Sequence, residues 1–201
     1  DVMLQRDFWH YSLPVLGNEL VWGCGFTMYT VIMGHLGADA VAANSIANIV
    51  KDLLVCLSLG LGNAGGILVG NLLGRNAFEE ARIMGDRLCR LVALVGVGTG
   101  LLIVAVRPLA LRWAGLTPQA THYLSVMLLI CAYYAACGCL TNLTIAGIFP
   151  AGGDAKFGLV CDAIVMWAIV VPIGLLSAFV IKLPVLAVYA LLNTDECIKM
   201  I

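Results

Sequence analysis

The chain has 201 residues, of which 62% are hydrophobic and only 11% charged, and its mean hydropathy is +1.00. Soluble domains contain about 45–50% apolar and about 25% charged residues, so the composition excludes an ordinary soluble domain and indicates an integral membrane protein. The net charge of -1 argues against nucleic acid as a partner. Because the chain begins at Asp1 and not at a methionine, we expect a fragment or a trimmed chain.

The apolar stretches predict membrane crossings in chain order. A helix needs about 20 residues to cross the hydrocarbon core. The predicted crossings lie at about 12–33, 42–72, 88–106, 123–149, 157–180 and 184–194. We expect a short helix outside the membrane at 75–90, a surface loop at 107–121, and a kink at Pro172. The sequence therefore predicts an all-α membrane protein, a bundle of six transmembrane helices forming a single domain over residues 1–201.

The basic residues predict the orientation of this bundle. With six crossings, one side of the membrane carries Arg6, Arg75, Arg82, Arg87, Arg90, Lys156 and Lys199. The other side carries Arg107, Arg112 and Lys182. Because the side richer in Lys and Arg faces the cytoplasm, we expect a multi-pass protein of the cytoplasmic membrane with both termini cytoplasmic.

Four glycines spaced four residues apart mark the end of the second crossing. They are Gly62, Gly66, Gly70 and Gly74. On a helix this spacing places all four on one face, where a second helix backbone can approach closely. We predict a helix-packing surface there.

Charged side chains inside the predicted crossings need compensation, since each costs about 2.5–3.5 kcal/mol at a helix centre. On the second crossing, Asn44, Asn48, Lys51 and Asp52 form a polar stripe, and Glu19 lies on the first. Two interpretations remain open. Lys51 pairs with Glu19 or Asp52 as a structural ion pair, or Glu19 and the stripe line a cavity that binds a cationic substrate or a coupling ion.

A further acid, Asp162, lies near the cytoplasmic end of the fifth crossing. The sequence predicts a tight cytoplasmic turn at Gly152, Gly153 and Asp154. We expect Asp162 to be an interfacial residue that binds this turn.

The fourth crossing carries Tyr133, Tyr134 and Asn142. Tyrosine faces suit an organic cation, whereas hydrogen bonds between helices explain the same residues equally well. Both interpretations stay open, and we include the three residues among the cavity candidates.

Catalytic and metal-binding motifs are absent from the sequence. It contains no nucleophile–base pair, no phosphate-binding loop and no metal-ligand cluster. The eight cysteines are typical of small buried hydrophobic residues. We therefore expect that the protein is not an enzyme and that it binds no metal and no cofactor.

Three stretches resemble a known transporter family. VGNLLGRNAFEEAR, at 69–82, resembles the V-G-x-x-L-G…A-R boundary of the multidrug and toxic compound extrusion (MATE) family. GADAVAANSIANI, at 37–49, and GIFPAGGDAKFGLVCDAIVMWAIVVPIG, at 147–174, are similar to two further motifs of that family in the same order. Together they resemble its C-terminal six-helix half.

The resemblance implies a twelve-helix transporter built from two six-helix lobes around a central cavity. Its partners would be an N-terminal six-helix lobe, the lipid bilayer and a small-molecule substrate. It would be a secondary active antiporter that exports organic cations or drugs in exchange for sodium ions or protons. Two positions depart from the family pattern: Pro150 stands where an arginine is usual, and 124–149 contains no acid of the kind that couples cations in some relatives.

Two other functions fit the same architecture. One is a lipid-linked oligosaccharide flippase of the same superfamily, whose cavity is usually more basic. The other is a membrane scaffold or half-transporter without a transport cycle of its own.

Overall fold

The computed structural model describes residues 2–153 and 155–199, whose regular elements are all helices. The first three helices are Val2–His35, Ala38–Gly74 and Phe78–Trp113. The fourth helix begins as Pro118–Thr141, widens into a π-helical segment at Asn142–Ile148 and ends as Phe149–Ala151.

Two π-helical segments also interrupt the fifth helix. It consists of Ala155–Ala163, Ile164–Val170, Val171–Leu175 and Leu176–Val180, of which the second and the fourth are π-helical. The first π segment ends just before Pro172, which has no amide hydrogen to donate to a helical bond. The sixth helix is Val185–Leu192, and a short terminal helix, Asp195–Ile198, follows it.

The prediction of an all-α membrane protein is confirmed. Within the described residues, four helical stretches are long and apolar enough to cross a membrane: Val55–Gly74, Phe78–Trp113, Pro118–Ala151 and Val160–Val180. The first helix has 34 residues and contains Asn18 and Glu19, and the sixth has only 8 residues. Six is therefore an approximate count of the crossings.

The third helix is longer than the predicted crossing at 88–106. It includes most of 75–90, where we expected a separate helix, and the first seven residues of 107–121, where we expected a loop. Glu79 and Glu80 lie in its first turn, where carboxylates stabilise the positive end of the helix dipole. It continues through Pro108 to Trp113, and Arg107 donates a hydrogen bond to Ser125 of the fourth helix. A change from apolar to polar residues marks where a helix leaves the hydrocarbon core, but it does not mark where the helix ends.

The helices pack as two groups. The second, third and fourth helices pack against one another, and the first packs against the fifth. Near the short turns at 36–37 and 114–117, one hydrophobic cluster joins both groups, including Ile32, Ala43 and Leu124. At the opposite end a second cluster, including Val69, Leu88 and Leu143, is built from the second, third and fourth helices. The two groups therefore meet tightly at one end and leave space between them towards the other.

The second helix lies against the fourth along its glycines. A Cβ atom built on Gly66 would lie 2.8 Å from the carbonyl oxygen of Gly147, and one built on Gly62 would lie 3.3 Å from that of Asn142. A Cβ on Gly70 would make an ordinary contact with Ala151, and one on Gly74 would meet nothing within 4 Å. The close contact therefore involves three of the four glycines.

Replacing Gly66 with leucine should destabilise the protein. The new side chain would push the second helix away from the Gly147 backbone, and overpacking of this kind costs about 1–3 kcal/mol. Gly74→Leu on the same helix is the matched control and should leave the melting temperature in detergent unchanged. Equal melting temperatures for the two variants would show that the glycine face does not pack against the fourth helix.

The terminal helix lies against the fourth helix. The Sγ atom of Cys197 is 3.3 Å from the Sγ atom of Cys137, and both residues are half-buried. Cys197 therefore packs within the helix bundle, although it follows the last apolar stretch of the sequence.

Mild oxidation with copper phenanthroline should join Cys137 to Cys197. A disulfide needs the two sulfur atoms at about 2.05 Å, and from 3.3 Å only small side-chain rotations are required. Mass spectrometry of the digested protein should detect the cross-linked peptide, and Cys137→Ser should remove it. Cross-linking of Cys197 to Cys161 in its place would contradict this placement of the terminal helix.

Candidate functional site

A cavity of about 240 Å³ separates the two groups of helices, and we call it the polar cavity. The first helix contributes Asn18, Glu19 and Trp22, and the second contributes Leu59. The fourth helix contributes residues of its π-helical region and the turn before it, and Asp162 and Lys199 complete the wall. Those residues of the fourth helix are Thr141, Asn142 and Ile145.

Three charged side chains form a buried ion cluster beside this cavity: Asp162, Asp195 and Lys199. The Nζ atom of Lys199 lies 2.8 Å from Oδ1 of Asp162 and 3.6 Å from Oδ2 of Asp195. The side chains of Lys199, Asp162 and Asp195 are 3%, 5% and 8% exposed. Two carboxylates and one ammonium group give the cluster a formal charge of -1, held away from solvent.

The ion cluster corrects the predicted role of Asp162. We expected this residue at the interface, bound to the turn at 152–154, but it is buried and paired with Lys199. A carboxylate that points into an apolar bundle needs a cation, and the terminal helix supplies one. Gly152 and Gly153 do form a turn, with Gly153 at a φ of +84°, whereas Asp154 lies outside the described residues.

Two oxygen-bearing side chains of the first helix, Asn18 and Glu19, border the polar cavity. Glu19 is exposed in this chain. The Oδ1 atom of Asn18 is buried and has no hydrogen-bond partner among the described residues. A buried amide oxygen without a donor is costly, so this position favours a ligand that provides positive charge or a donor.

A smaller cavity of about 50 Å³, the aromatic cavity, contains most of the polar stripe of the second helix. Asn44, Asn48 and Lys51 line it, opposite aromatic rings of the first helix. The Lys51 Nζ atom lies 5.4 Å from the centroid of the Phe26 ring, which is within the range of a cation–π interaction. Trp22 lines both cavities.

The expected ion pair of Lys51 with Glu19 or Asp52 is not formed. Among the described residues the ion pairs are those of Lys199, and Lys51 lies over Phe26 instead. Glu19 borders the polar cavity whereas Lys51 borders the aromatic one, and Asp52 is exposed. The interpretation of Lys51 as half of a structural pair is therefore wrong for these partners.

The fourth-helix candidates are divided by the structure. Tyr133 is 78% exposed, and its ring contacts that of Tyr134 edge to face at 5.1 Å between centroids. Tyr134 and Asn142 line a third cavity of about 50 Å³ together with Lys51. Asn142 thus connects the polar cavity to the neighbourhood of Lys51.

A profile of the MatE family matches residues 14–176. The chain belongs to the MatE family. The resemblance drawn from the three motifs is confirmed, and the chain is a multi-pass membrane protein of a transporter family. Relatives of this MatE chain include Multidrug and toxin extrusion protein 1 of Oryctolagus cuniculus, 23% identical over 185 residues, or 91% of this chain. Protein DETOXIFICATION 38 of Arabidopsis thaliana is 30% identical over 126 residues, or 56% of this chain.

Solved transporters share the fold of this MatE chain. A MATE protein crystallised with MaD5 superposes with a TM-score of 0.85 at 15% identity, and a MOP superfamily transporter from Pyrococcus furiosus with 0.79 at 15%. Each comparison covers 94% of this chain, but only 42% and 41% of the solved chains. The chain spans 32% and 25% of the length of the two curated relatives.

Several residues that line the site in this MatE chain were missed by the sequence analysis, among them Asn18, Trp22, Phe26, Thr141, Asp195 and Lys199. Asp195 and Lys199 have the i, i+4 spacing of a helical ion pair. Because this spacing follows closely after an apolar run, it could have predicted an ion pair at the end of the bundle. We interpreted it as the polar end of the last crossing.

Replacing Lys199 with methionine should destabilise the protein more than replacing Asp162 with asparagine. Lys199→Met leaves two buried carboxylates without their cation, and removing one partner of a buried pair costs about 3–5 kcal/mol. Asp162→Asn leaves Lys199 paired with Asp195 and should cost about 1–3 kcal/mol. Melting temperatures in one detergent would rank the variants. The opposite ranking would contradict the bridging position of Lys199.

Proposed function

We propose that this chain is the C-terminal six-helix half of a secondary active antiporter. The whole protein would export organic cations or drugs across the cytoplasmic membrane in exchange for sodium ions or protons. The observation that carries the proposal is the polar cavity, a space of about 240 Å³ between two helix groups that is bordered by Glu19 and Asp162.

The balance of charge supports a cationic substrate. The polar and aromatic cavities are lined by three carboxylates and two ammonium groups: Glu19, Asp162 and Asp195 against Lys51 and Lys199. Their formal sum is -1. An apolar surrounding strengthens the attraction of such a site for a cation. The negative sum also argues against the flippase alternative, whose cavity is usually more basic.

Aromatic side chains supply a surface for an organic cation. Trp22 lies between the two cavities, and its ring stacks on that of Phe26 at 5.4 Å between centroids. Phe26 already lies under the ammonium group of Lys51. A ring that attracts one cation in this way can attract a cationic substrate by the same interaction.

The exposure of the first helix supports the proposal of a partner lobe. Glu19, Leu20 and Trp22 are all exposed in this chain. A charged residue among exposed apolar ones is costly against lipid, so we propose that an N-terminal six-helix lobe faces Glu19 and closes the cavity. The coverage of about two-fifths of the solved transporters is consistent with one half of such a protein.

The orientation rests on the distribution of Lys and Arg, which places both termini in the cytoplasm. On the fifth helix, Asp162 lies seven residues after Ala155 and far from the turn at 181–184. The polar cavity then lies in the cytoplasmic half of the bundle, where it can receive substrate from inside the cell.

Glu19→Gln in the full two-lobed protein should lower export of a fluorescent organic cation at least tenfold. The melting temperature should change little, because Glu19 has no ion pair among the described residues and glutamine keeps the size of its side chain. Export from cells loaded with ethidium measures the effect.

The matched control is Glu80→Gln, which removes an exposed carboxylate at the start of the third helix. Its export rate should equal that of the wild type. Normal export by Glu19→Gln would contradict the assigned role of Glu19. A stable wild-type protein that exports no cation would contradict the transport proposal and favour the flippase or scaffold alternatives.

A further inference from the structure

We propose that Lys199 is a built-in counter-cation of the transport site. It occupies Asp162 while the polar cavity is empty, and a monovalent cation that enters the cavity displaces it towards Asp195. This inference rests on the proposed function, because it assigns a regulatory role to a residue at the same cavity. The cation would be a sodium ion or a monovalent organic cation, since both carry a single positive charge that carboxylates attract.

The first argument is the geometry of the ion cluster. Lys199 contacts Asp162 at 2.8 Å and Asp195 at 3.6 Å, so its ammonium group bridges carboxylates on two different helices. Asp195 lies one helical turn from Lys199 and moves with it. When the ammonium group leaves Asp162 it therefore remains paired, and the large cost of a buried unpaired lysine is avoided.

The second argument is the excess negative charge around the cavity. The ion cluster carries a formal charge of -1, and Glu19 adds another carboxylate at the same cavity. Over the polar and aromatic cavities together, three carboxylates are set against the two ammonium groups of Lys51 and Lys199, which leaves a formal excess of -1. A cation entering the cavity would reduce this excess in an environment of low dielectric constant, where the interaction is strong.

The third argument is the set of neutral, oxygen-bearing side chains that line the polar cavity together with Asp162. The amide oxygen of Asn18 is buried without a hydrogen-bond partner among the described residues, and Thr141 and Asn142 border the same cavity. Carboxylate, amide and hydroxyl oxygens are the ligands that hard cations prefer. These side chains can supply an incoming cation with neutral oxygen ligands at the cavity that Asp162 borders.

Competition by Lys199 has two consequences for transport. The incoming cation must replace an existing ion pair. Its affinity for the site is therefore lower than it would be if no lysine lay beside Asp162. When the cation leaves, Lys199 returns to Asp162 and prevents immediate rebinding. A resident lysine thus lowers affinity and favours release.

The test compares sodium binding in variants of the full two-lobed protein. Asp195→Asn combined with Lys199→Met removes the lysine but keeps the formal charge of the cluster at -1, now on Asp162 alone. Binding is measured as the rise in melting temperature on titration with NaCl, with N-methylglucamine chloride holding the ionic strength constant. The double variant should reach half of its maximal shift at a sodium concentration at least tenfold lower than the wild type.

Two further variants keep the test decisive if the double variant does not fold. Lys199→Arg retains the positive charge and should resemble the wild type. Asp162→Asn leaves Lys199 paired with Asp195 and should raise the half-saturating sodium concentration at least tenfold. The same titrations with ethidium separate sodium from a monovalent organic cation as the cation that binds.

An unchanged half-saturating concentration in the folded double variant, or in Asp162→Asn, for both sodium and ethidium would overturn the role of Lys199. So would the absence of any cation-dependent shift in the wild type and the double variant. If the wild type exports ethidium and Glu19→Gln does not, the proposed function stands even when this inference fails. If the stable wild type exports nothing, the proposed function fails, and the titrations still decide whether Lys199 competes for Asp162.

Discussion

A carboxylate inside an apolar helix bundle needs a nearby cation, and this requirement determines how the last part of the chain folds. Asp162 lies on the fifth helix within a span that is apolar enough to cross a membrane. Its partner Lys199 comes from the far end of the chain and brings the terminal helix into the bundle. That placement sets Cys197 against Cys137 and forms one wall of the polar cavity. The size and charge of the cavity therefore both depend on this pairing.

The second constraint is the close approach of the second and fourth helices. Gly62 and Gly66 face the fourth helix where it is π-helical, from Asn142 to Ile148. A π-helical segment leaves carbonyl groups without their usual partners, and the Thr144 hydroxyl donates to the carbonyl oxygen of Leu140 at 3.0 Å. The segment places Asn142 on the cavity while Gly147 stays in contact with the glycine face. These seven residues thus contribute to both the packing and the cavity lining, and π-helical segments often occur at functional sites.

The sequence predicted the class, the family and the helical regions, because these depend on local composition and short motifs. An apolar run shows where a helix can cross a membrane, but it does not show where the helix ends. The third helix accordingly continues through Pro108, at a position where we expected a loop. Pairing between distant residues was harder to predict. Lys51 had acidic residues close in sequence, yet it lies over Phe26, whereas Asp162 pairs with a lysine 37 positions away. Which buried charges meet is decided by the packing of whole helices, and that information is spread over many residues.

Lys51 and Lys199 illustrate two ways in which this chain holds positive charge beside its cavities. Lys51 lies on an aromatic ring, an arrangement that leaves the acids of the polar cavity without a fixed partner from the second helix. Lys199 is shared between two carboxylates, so the cluster keeps a net negative charge. Had Lys51 paired with Glu19, the carboxylate of Glu19 would be held in a closed pair, and only the ion cluster would keep a net negative charge. Because Lys51 lies over Phe26 and Lys199 pairs with two other carboxylates, Glu19 stays available at the face where the second lobe is proposed to close.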